Sequence, residues 1–183
     1  MSIKHAILGI LSYQPLTGYD LKKIIQDSSF MHWSGNNNQI YKALVELLEE
    51  GFATNEICHQ DSSPSKKVYT ITKNGIEELK GWINSLSETP ELKKPFLVQL
   101  AWADLLSQEE LNTLLNDYEN QIRIQMLMQV EKHKRKVFSP SRTAKEAYLW
   151  EMIHDNIVSS YECELSWITR LRNGVLKFNN EEK

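Results

Sequence analysis

The chain has 183 residues, of which 41% are hydrophobic, and its formal net charge is −3. This length allows one or two buried cores, and the negative charge excludes nucleic-acid binding by bulk composition, so any DNA-binding surface has to be local. No uninterrupted apolar run reaches the roughly 18 residues of a membrane span, and we find no secretion signal, so we expect a cytoplasmic protein without a membrane partner.

The first two predicted elements are helices. Apolar residues recur at helical spacing from Ile3 to Leu11, and Pro15 prevents a normal continuation of that helix. Thr17 and Asp20 have the spacing of a capping box, with aspartate in the usual place of glutamate. This pair predicts a second helix over YDLKKIIQD.

A third helix is predicted after an asparagine-rich segment. Asn36 or Asn37 is the expected cap, because an asparagine side chain accepts hydrogen bonds from the free N–H groups of a helix start. Apolar residues then repeat at intervals of three and four up to Gly51, a natural helix terminator. The helix is therefore predicted from about Asn37 to Glu50.

The next segment reads as a hairpin. Two strand-like runs, FATNEI and KKVYTI, flank the polar segment HQDSSPS, which predicts two antiparallel strands with a long tip. Thr72 is the expected cap of a further helix over KNGIEELKGWINSL. Three helices followed by a hairpin indicate a winged helix-turn-helix.

The polar segment SETPELKKP, with two prolines, predicts a boundary between a winged-helix DNA-binding domain, 1–87, and a helical dimerisation domain, 88–183. In the second domain we expect a short helix over FLVQLAWADLL, a long helix from the capping box Ser107–Glu110 to about Val137, and a last helix from about Thr143 to Arg172. The expected fold class is mainly α (α+β): an N-terminal winged helix-turn-helix with a two-stranded β wing, then a long-helix C-terminal dimerisation domain.

The last helix carries more apolar surface than one small domain can cover. Because such a surface needs a partner helix pair, we predict a homodimer. The predicted dimerisation stripe is Leu149, Ile153, Ile157, Tyr161, Leu165 and Ile168.

The start of the third helix has the chemistry of DNA base recognition. The residues there are Asn36, Asn37, Asn38 and Gln39. Their amides can donate and accept together, which matches the adenine edge in the major groove, and Lys42 could reach phosphate or guanine. The alternative interpretation is an ordinary loop and cap, and Tyr41 is either a phosphate contact or a half-buried helix residue.

Two lysine pairs are candidates for phosphate contacts. Lys66 and Lys67 begin the second strand of the hairpin, where a wing can follow the DNA backbone. Lys22 and Lys23 lie outside the apolar stripe of the second helix. The alternative for both pairs is a solvated surface.

The sequence offers no enzyme or metal chemistry. Cys58 and Cys163 are far apart, so we expect free, buried thiols in a reducing compartment. There is no Gly-rich phosphate loop after a strand and no Gly-x-Ser-x-Gly elbow, and no histidine spacing forms a zinc motif. We expect no catalytic residue, no metal and no cofactor. The histidines are His5, His32, His59, His133 and His154.

Four segments together resemble the PadR-like transcriptional regulators, of the kind with a helical C-terminal domain similar to that of virulence activators. They are AILGILSYQPLTGYDLKK, NNNQIYKALVELLEEGFA, PSKKVYTITKNGIEEL and KKPFLVQLAWADLL, and in that order they extend over nearly the whole chain. The resemblance implies that Gly18 and Tyr19 begin the second helix, that the helix with Ile40 and Tyr41 enters the major groove, and that 66–69 forms the wing.

The same resemblance implies dimerisation through the C-terminal helices and, for some members, a small aromatic or drug-like ligand near the dimer axis. Tryptophans could line such a cavity, and Trp102, Trp150 and Trp167 are the candidates; the alternative is ordinary core packing. Lys42 stands where many relatives carry proline, and Ser65, Lys66 and Lys67 stand where arginine is frequent, so the operator sequence cannot be taken from relatives.

We therefore predict a DNA-binding transcriptional regulator, a repressor, that acts as a homodimer on an inverted-repeat operator and is modulated by a small aromatic ligand. The alternative is a winged-helix protein-interaction module without DNA binding, which the net negative charge would favour. The predicted DNA-binding residues are Thr17, Tyr19, Asn36, Asn37, Asn38, Gln39, Tyr41, Lys42, Lys66, Lys67 and Tyr69.

Overall fold

A computed structural model describes residues 3–31, 38–60, 63–87, 89, 93–135 and 138–181. The chain divides into two units, Met1–Thr89 and Pro90–Lys183. The first contains α1 (Ile3–Leu11), β1 (Leu16–Thr17), α2 (Gly18–Asp27), α3 (Asn38–Glu49), β2 (Ala53–Gln60), β3 (Ser63–Ile71) and α4 (Lys73–Ile83). The second contains α5 (Pro95–Ala101), a 3-10 helix (Ala103–Leu105), α6 (Gln108–Arg135) and α7 (Ala144–Glu181).

The predicted mainly helical winged-helix fold is confirmed, with one strand more in its sheet than the sequence indicated. The antiparallel sheet has the order β1-β3-β2, and Leu16 and Thr17 of β1 pair with Tyr69 and Val68. A two-residue strand is too short to show the alternation of apolar and polar residues that marks a strand. The predicted two-stranded wing is therefore the β2–β3 hairpin, and β1 extends the sheet on its other side.

Side-chain caps begin two helices of the first unit as predicted. The Thr17 hydroxyl accepts a hydrogen bond from the backbone N–H of Asp20 at 3.2 Å and donates one to the Asp20 carboxylate at 2.7 Å. The Thr72 hydroxyl accepts from the N–H of Gly75 at 3.0 Å and donates to the carbonyl of Gly51 at 2.8 Å. Thr72 thus links the start of α4 to the end of α3, which positions the wing between them.

Gly51 and Gly75 are required by the backbone where α3, β2 and α4 meet. Gly51 has a φ of 72°, the left-handed conformation that ends a helix with little strain only at glycine. A Cβ on Gly75 would lie 2.1 Å from the carbonyl oxygen of Phe52. The first turn of α4 therefore packs directly against the backbone that follows α3.

The core of the first unit is formed by the inner faces of its helices. Leu8 of α1, Leu21 of α2 and Leu47 of α3 are all fully buried. Complete burial of a leucine side chain contributes about 1.5–3 kcal/mol. These contacts fix the rotation of α3 about its axis and so decide which of its residues face solvent.

The second unit is built on the two long helices α6 and α7, which pack along each other. The Ser107–Glu110 capping box is present, with the N–H of Ser107 donating to the Glu110 carboxylate at 2.8 Å. Helix α7 runs to Glu181, beyond the predicted end at Arg172. Gly174 interrupts the apolar pattern, so the predicted helix ends too early, but it does not end the helix. No helix in the described ranges is both long and apolar enough to span a membrane.

One expectation about the cysteines is wrong. Cys58 and Cys163 are free thiols, as predicted, but both are exposed rather than buried. Cys58 lies on β2 opposite Lys66, in the part of the hairpin that leaves the core, and Cys163 lies on a solvent-facing side of α7. A lone cysteine in a sequence does not reveal which face of its element is covered.

Candidate nucleic-acid interface

The start of α3 presents amide side chains to solvent. Asn38 and Gln39 are exposed, whereas Ile40 and Leu44, one and five positions after Gln39, are buried. Because the apolar face of α3 is held by the core, the amides at its first turn point away from the protein. Asn36 and Asn37, the other two predicted amides, lie outside the described residues.

Tyr41 and Lys42 extend the exposed face of α3 by one turn. Tyr41 is 46% exposed. The Lys42 ammonium lies 4.0 Å from a Glu46 carboxylate oxygen, and its side chain is 80% exposed. An ion pair this long and this exposed is weak, so Lys42 is available to an external anion.

Val45 is an exposed residue of α3 that the sequence reasoning missed. It lies four positions after Tyr41 and is 53% exposed, so it belongs to the same outward face. An apolar side chain there can contact a thymine methyl group. Its exposure could have been predicted from the sequence, because Val45 lies outside the apolar stripe of Ile40, Leu44 and Leu47.

Gly18 allows Tyr41 to pack against the start of α2. A Cβ on Gly18 would lie 2.9 Å from Cε1 of Tyr41, so any larger residue would displace the ring. Tyr19, the next residue, is largely exposed. The glycine-tyrosine pair therefore has two roles: Gly18 leaves room for the Tyr41 ring, and Tyr19 is exposed to solvent.

Thr17 and Tyr69 are less accessible than the predicted interface required. Both hydrogen-bonding capacities of the Thr17 hydroxyl are used within the cap of α2. Tyr69 is only 8% exposed, and burial first, then the nearby Tyr41, raises the pKa of its hydroxyl. Tyr69 is therefore part of the core of the first unit, and Thr17 acts as the cap of α2.

The wing carries its two lysines on opposite faces. Lys66 and Lys67 are both exposed on β3, where they pair with Cys58 and Ile57 of β2. Successive side chains of a strand point to opposite sides of a sheet, so the two ammonium groups face different directions. Lys23 of α2 is also exposed, whereas its neighbour Lys22 is half-buried.

The predicted dimerisation stripe is largely used inside the chain. Ile168 is fully buried, so its side chain offers no surface to a partner. Ile153, Ile157, Tyr161 and Leu165 are half-buried, and Leu149 is exposed, because α7 packs against α6 of the same chain. The exposed large apolar residues of these two helices are Ile124, Leu127, Met128, Tyr148, Leu149, Met152 and Leu176.

The three candidate ligand-binding tryptophans do not share a cavity within one chain. Trp167 makes an edge contact with Phe96 at a centroid distance of 6.1 Å, and Trp150 makes one with Phe138 at 5.7 Å. Their separation of 17 positions along α7 corresponds to about 25 Å at the rise of an α-helix. Trp102 is 70% exposed.

A polar group lies beside the Phe96 cluster. The Tyr118 hydroxyl donates a hydrogen bond of 2.8 Å to Glu164, and the Lys94 ammonium pairs with the same carboxylate. The Tyr118 ring stacks on Phe96 at 3.6 Å. Burial and the bond to Glu164 raise the pKa of Tyr118 to about 12. These contacts join α5, α6 and α7 rather than forming an open binding site.

Comparisons with known proteins agree with this geometry. Residues 7–81 match the model of the transcriptional regulator PadR-like family. The chain is 34% identical over 116 residues to the negative transcriptional regulator PadR of Bacillus subtilis, an alignment that spans 63% of this chain and 64% of the relative. The chain is thus matched to somewhat less than two thirds of that relative's length.

Solved structures are similar over nearly the whole chain. Bacillus subtilis PadR in complex with operator DNA has a TM-score of 0.79 and 25% identity, covering 92% of this chain and 96% of that one. The same protein with p-coumaric acid has a TM-score of 0.75 and 24% identity, covering 92% of both. The Vibrio cholerae virulence activator AphA has a TM-score of 0.68 and 22% identity, covering 97% and 99%, and shows the fold.

Proposed function

We propose that this chain is a member of the PadR-like family of transcriptional regulators, which its match over residues 7–81 and its 34% identity to a curated relative support, and that it is a repressor that binds an inverted-repeat operator as a homodimer. The observation that carries the proposal is the orientation of α3: Asn38 and Gln39 are exposed at its first turn while its apolar face is buried. The relative with 34% identity is a negative regulator, and its structure with operator DNA supports the same partner here.

The exposed face of α3 can read base edges in the major groove. Asn38 and Gln39 each carry a donor and an acceptor that fit adenine, and Val45 fits a thymine methyl group. Lys42 and the hydroxyl of Tyr41 are placed to contact phosphate or guanine. One of the two wing lysines, Lys66 or Lys67, supplies the contact to the flanking backbone.

Dimerisation of the second unit would present two copies of α3 to one face of the duplex. Exposed apolar residues on α6 and α7, such as Leu127 and Leu149, are candidates for the interface. A two-fold dimer on B-DNA places its recognition helices about 34 Å apart. This spacing would require two half-sites in inverted orientation.

We further propose that a small aromatic ligand modulates DNA binding. The support is the structure of the relative PadR with p-coumaric acid. Trp102 is the most accessible of the three candidate tryptophans, so indole fluorescence should report a ligand that stacks on it.

Selection of bound fragments from a pool of random duplexes tests the main proposal. The retained fragments should share two inverted half-sites with centres about one helical turn apart. The double variant Asn38→Ala/Gln39→Ala should retain fragments without that motif. Recovery of unrelated sequences by the unmodified protein would contradict operator recognition and favour the protein-interaction alternative.

A further inference from the structure

A groove between α6 and α7 has the size of a small-molecule site. Its volume is about 420 Å³, within the range in which proteins bind metabolites and drug-sized ligands. The lining residues are Val130, Glu151, Met152, His154, Asp155 and Val158. All of them belong to the second unit.

The lining combines an apolar wall with two carboxylates. Val130 and Val158 are half-buried, and Met152 adds a polarisable thioether that packs well against aromatic rings. Glu151 and Asp155 supply negative charge, and the lining includes neither lysine nor arginine. In the described part of the chain, Asp155 forms no salt bridge, and Glu151 pairs only with His133.

A stacked pair of imidazoles borders the groove. The rings of His133 and His154 lie 3.8 Å apart and are parallel to within 6°. His133 Nε2 lies 3.2 Å from a carboxylate oxygen of Glu151. Burial first, then the nearby His133, lowers the pKa of His154, against the opposite effect of Glu151 and Asp155. His154 therefore carries less positive charge near neutral pH than an ordinary histidine, so it offsets little of the charge of the carboxylates.

This arrangement does not favour a metal ion. Among the described residues, no three histidine, cysteine, aspartate or glutamate side chains converge as a metal site. The nitrogen lone pairs of two stacked imidazoles lie in two separate, nearly parallel planes, whereas a zinc site needs ligand lone pairs that converge on one point. The negative charge of Glu151 and Asp155, beside an apolar wall, is better matched by an organic cation with an apolar body.

We propose that this groove binds a small organic cation with an aromatic or apolar body. The cationic group pairs with Glu151 and Asp155, and the body packs on Val130, Met152 and Val158. The two carboxylates repel an anion such as p-coumaric acid in its ionised form, so the ligand class of this groove differs from that of the relative's ligand. Only the regulatory consequence, a change in DNA binding, rests on the proposed function.

Two phenols of similar size and opposite charge test the charge selectivity. At about pH 7.5, tyramine is a cation and p-coumaric acid is an anion. Binding to the full-length protein is followed by NMR of ¹³C-methyl methionine, with the Met152 signal assigned by Met152→Leu. We expect a saturable shift of that signal with tyramine and none with p-coumaric acid. No saturable shift with tyramine, or equal affinity for both, would overturn the proposal.

A matched pair of variants locates the cation. Glu151→Gln/Asp155→Asn should weaken tyramine binding about tenfold, the effect of losing two partly exposed ion pairs. Glu162→Gln, an exposed carboxylate on α7 outside the lining, should leave the affinity unchanged. Equal losses in both variants would indicate a general charge effect and not a site.

Protons should compete with the cation. Burial lowers the pKa of His154, so its imidazole gains a proton only below the usual range of a histidine. The positive charge that it then carries beside Glu151 and Asp155 opposes the ligand's cation, so tyramine affinity should decrease at acidic pH. An affinity independent of pH would contradict the placement of the cation beside the histidines. Operator binding is measured separately without tyramine, so its loss would refute the proposed function and leave the ligand result standing, and the reverse also holds.

Discussion

The wing lysines give a quantitative test of DNA binding. Lys66 and Lys67 are adjacent on β3, so their side chains project to opposite faces of the hairpin. A duplex that contacts one face of the wing therefore meets one of the two ammonium groups. Lys66→Ala/Lys67→Ala should remove a single phosphate contact per protomer, and one of the two single variants should reproduce the double variant.

The size of the effect follows from counterion release. Each phosphate contact contributes about 0.9 to the slope of log affinity against log salt concentration. For each half-site, loss of one contact lowers the affinity about eightfold at 0.1 M salt and about fourfold at 0.2 M salt. The difference in affinity between the variant and the unmodified protein should thus shrink as salt rises, because the free energy gained by releasing each counterion decreases.

Fluorescence anisotropy with a labelled single half-site duplex, over a salt series, measures these slopes. Lys73→Ala/Lys80→Ala removes two lysines from α4, including Lys80, which pairs with Glu77, and should leave the slope unchanged. Two single variants with equal losses would contradict the alternation of faces. A slope that is unchanged in the double variant would refute the wing as a phosphate contact.

Other predictions address readout, packing and pH. Asn38→Ala/Gln39→Ala should cost about 1–3 kcal/mol on the preferred operator and little on random DNA, and equal losses would exclude base readout. Gly75→Ala should lower the free energy of unfolding by about 2–3 kcal/mol, because the added Cβ would overlap a backbone carbonyl. Gly81→Ala in the same helix has open space around it, so it should raise the free energy of unfolding by about 0.5–1 kcal/mol. Urea unfolding measures both changes. The raised pKa of Tyr118 means that its stabilising contribution is complete below about pH 10 and is lost as pH rises towards 12, so Tyr118→Phe should show a smaller alkaline loss of stability.

The sequence predicted the helices of the first unit well because their signals are local. The Thr17 and Thr72 caps mark the starts of α2 and α4, and Gly51 marks the end of α3 within two residues. Each depends on hydrogen bonds or backbone conformations that span only a few positions. Such signals can be recognised in the sequence without knowledge of the rest of the fold.

The sequence could not predict the contacts that an element makes with distant parts of the chain. Strand β1 exists because Leu16 and Thr17 meet β3, more than 50 positions later. Ile168 and Tyr69 were expected at interfaces, but both side chains are buried within the chain. Burial by a distant segment is a tertiary effect that periodicity alone does not contain.

The net negative charge does not oppose DNA binding, because the charges of α3 are separated along its axis. Its first turn carries neutral amides and the positive end of the helix dipole, followed by Lys42. Its last turns carry Glu46, Glu49 and Glu50, and the Lys4 ammonium bonds to Glu50 at 2.8 Å at that end. A duplex that approaches the first turn therefore meets a locally favourable field. Glu49 and Glu50 lie about three turns away, and the nearer Glu46 is paired with Lys42 and Lys4. Local placement, and not total charge, decides between DNA binding and the protein-interaction alternative.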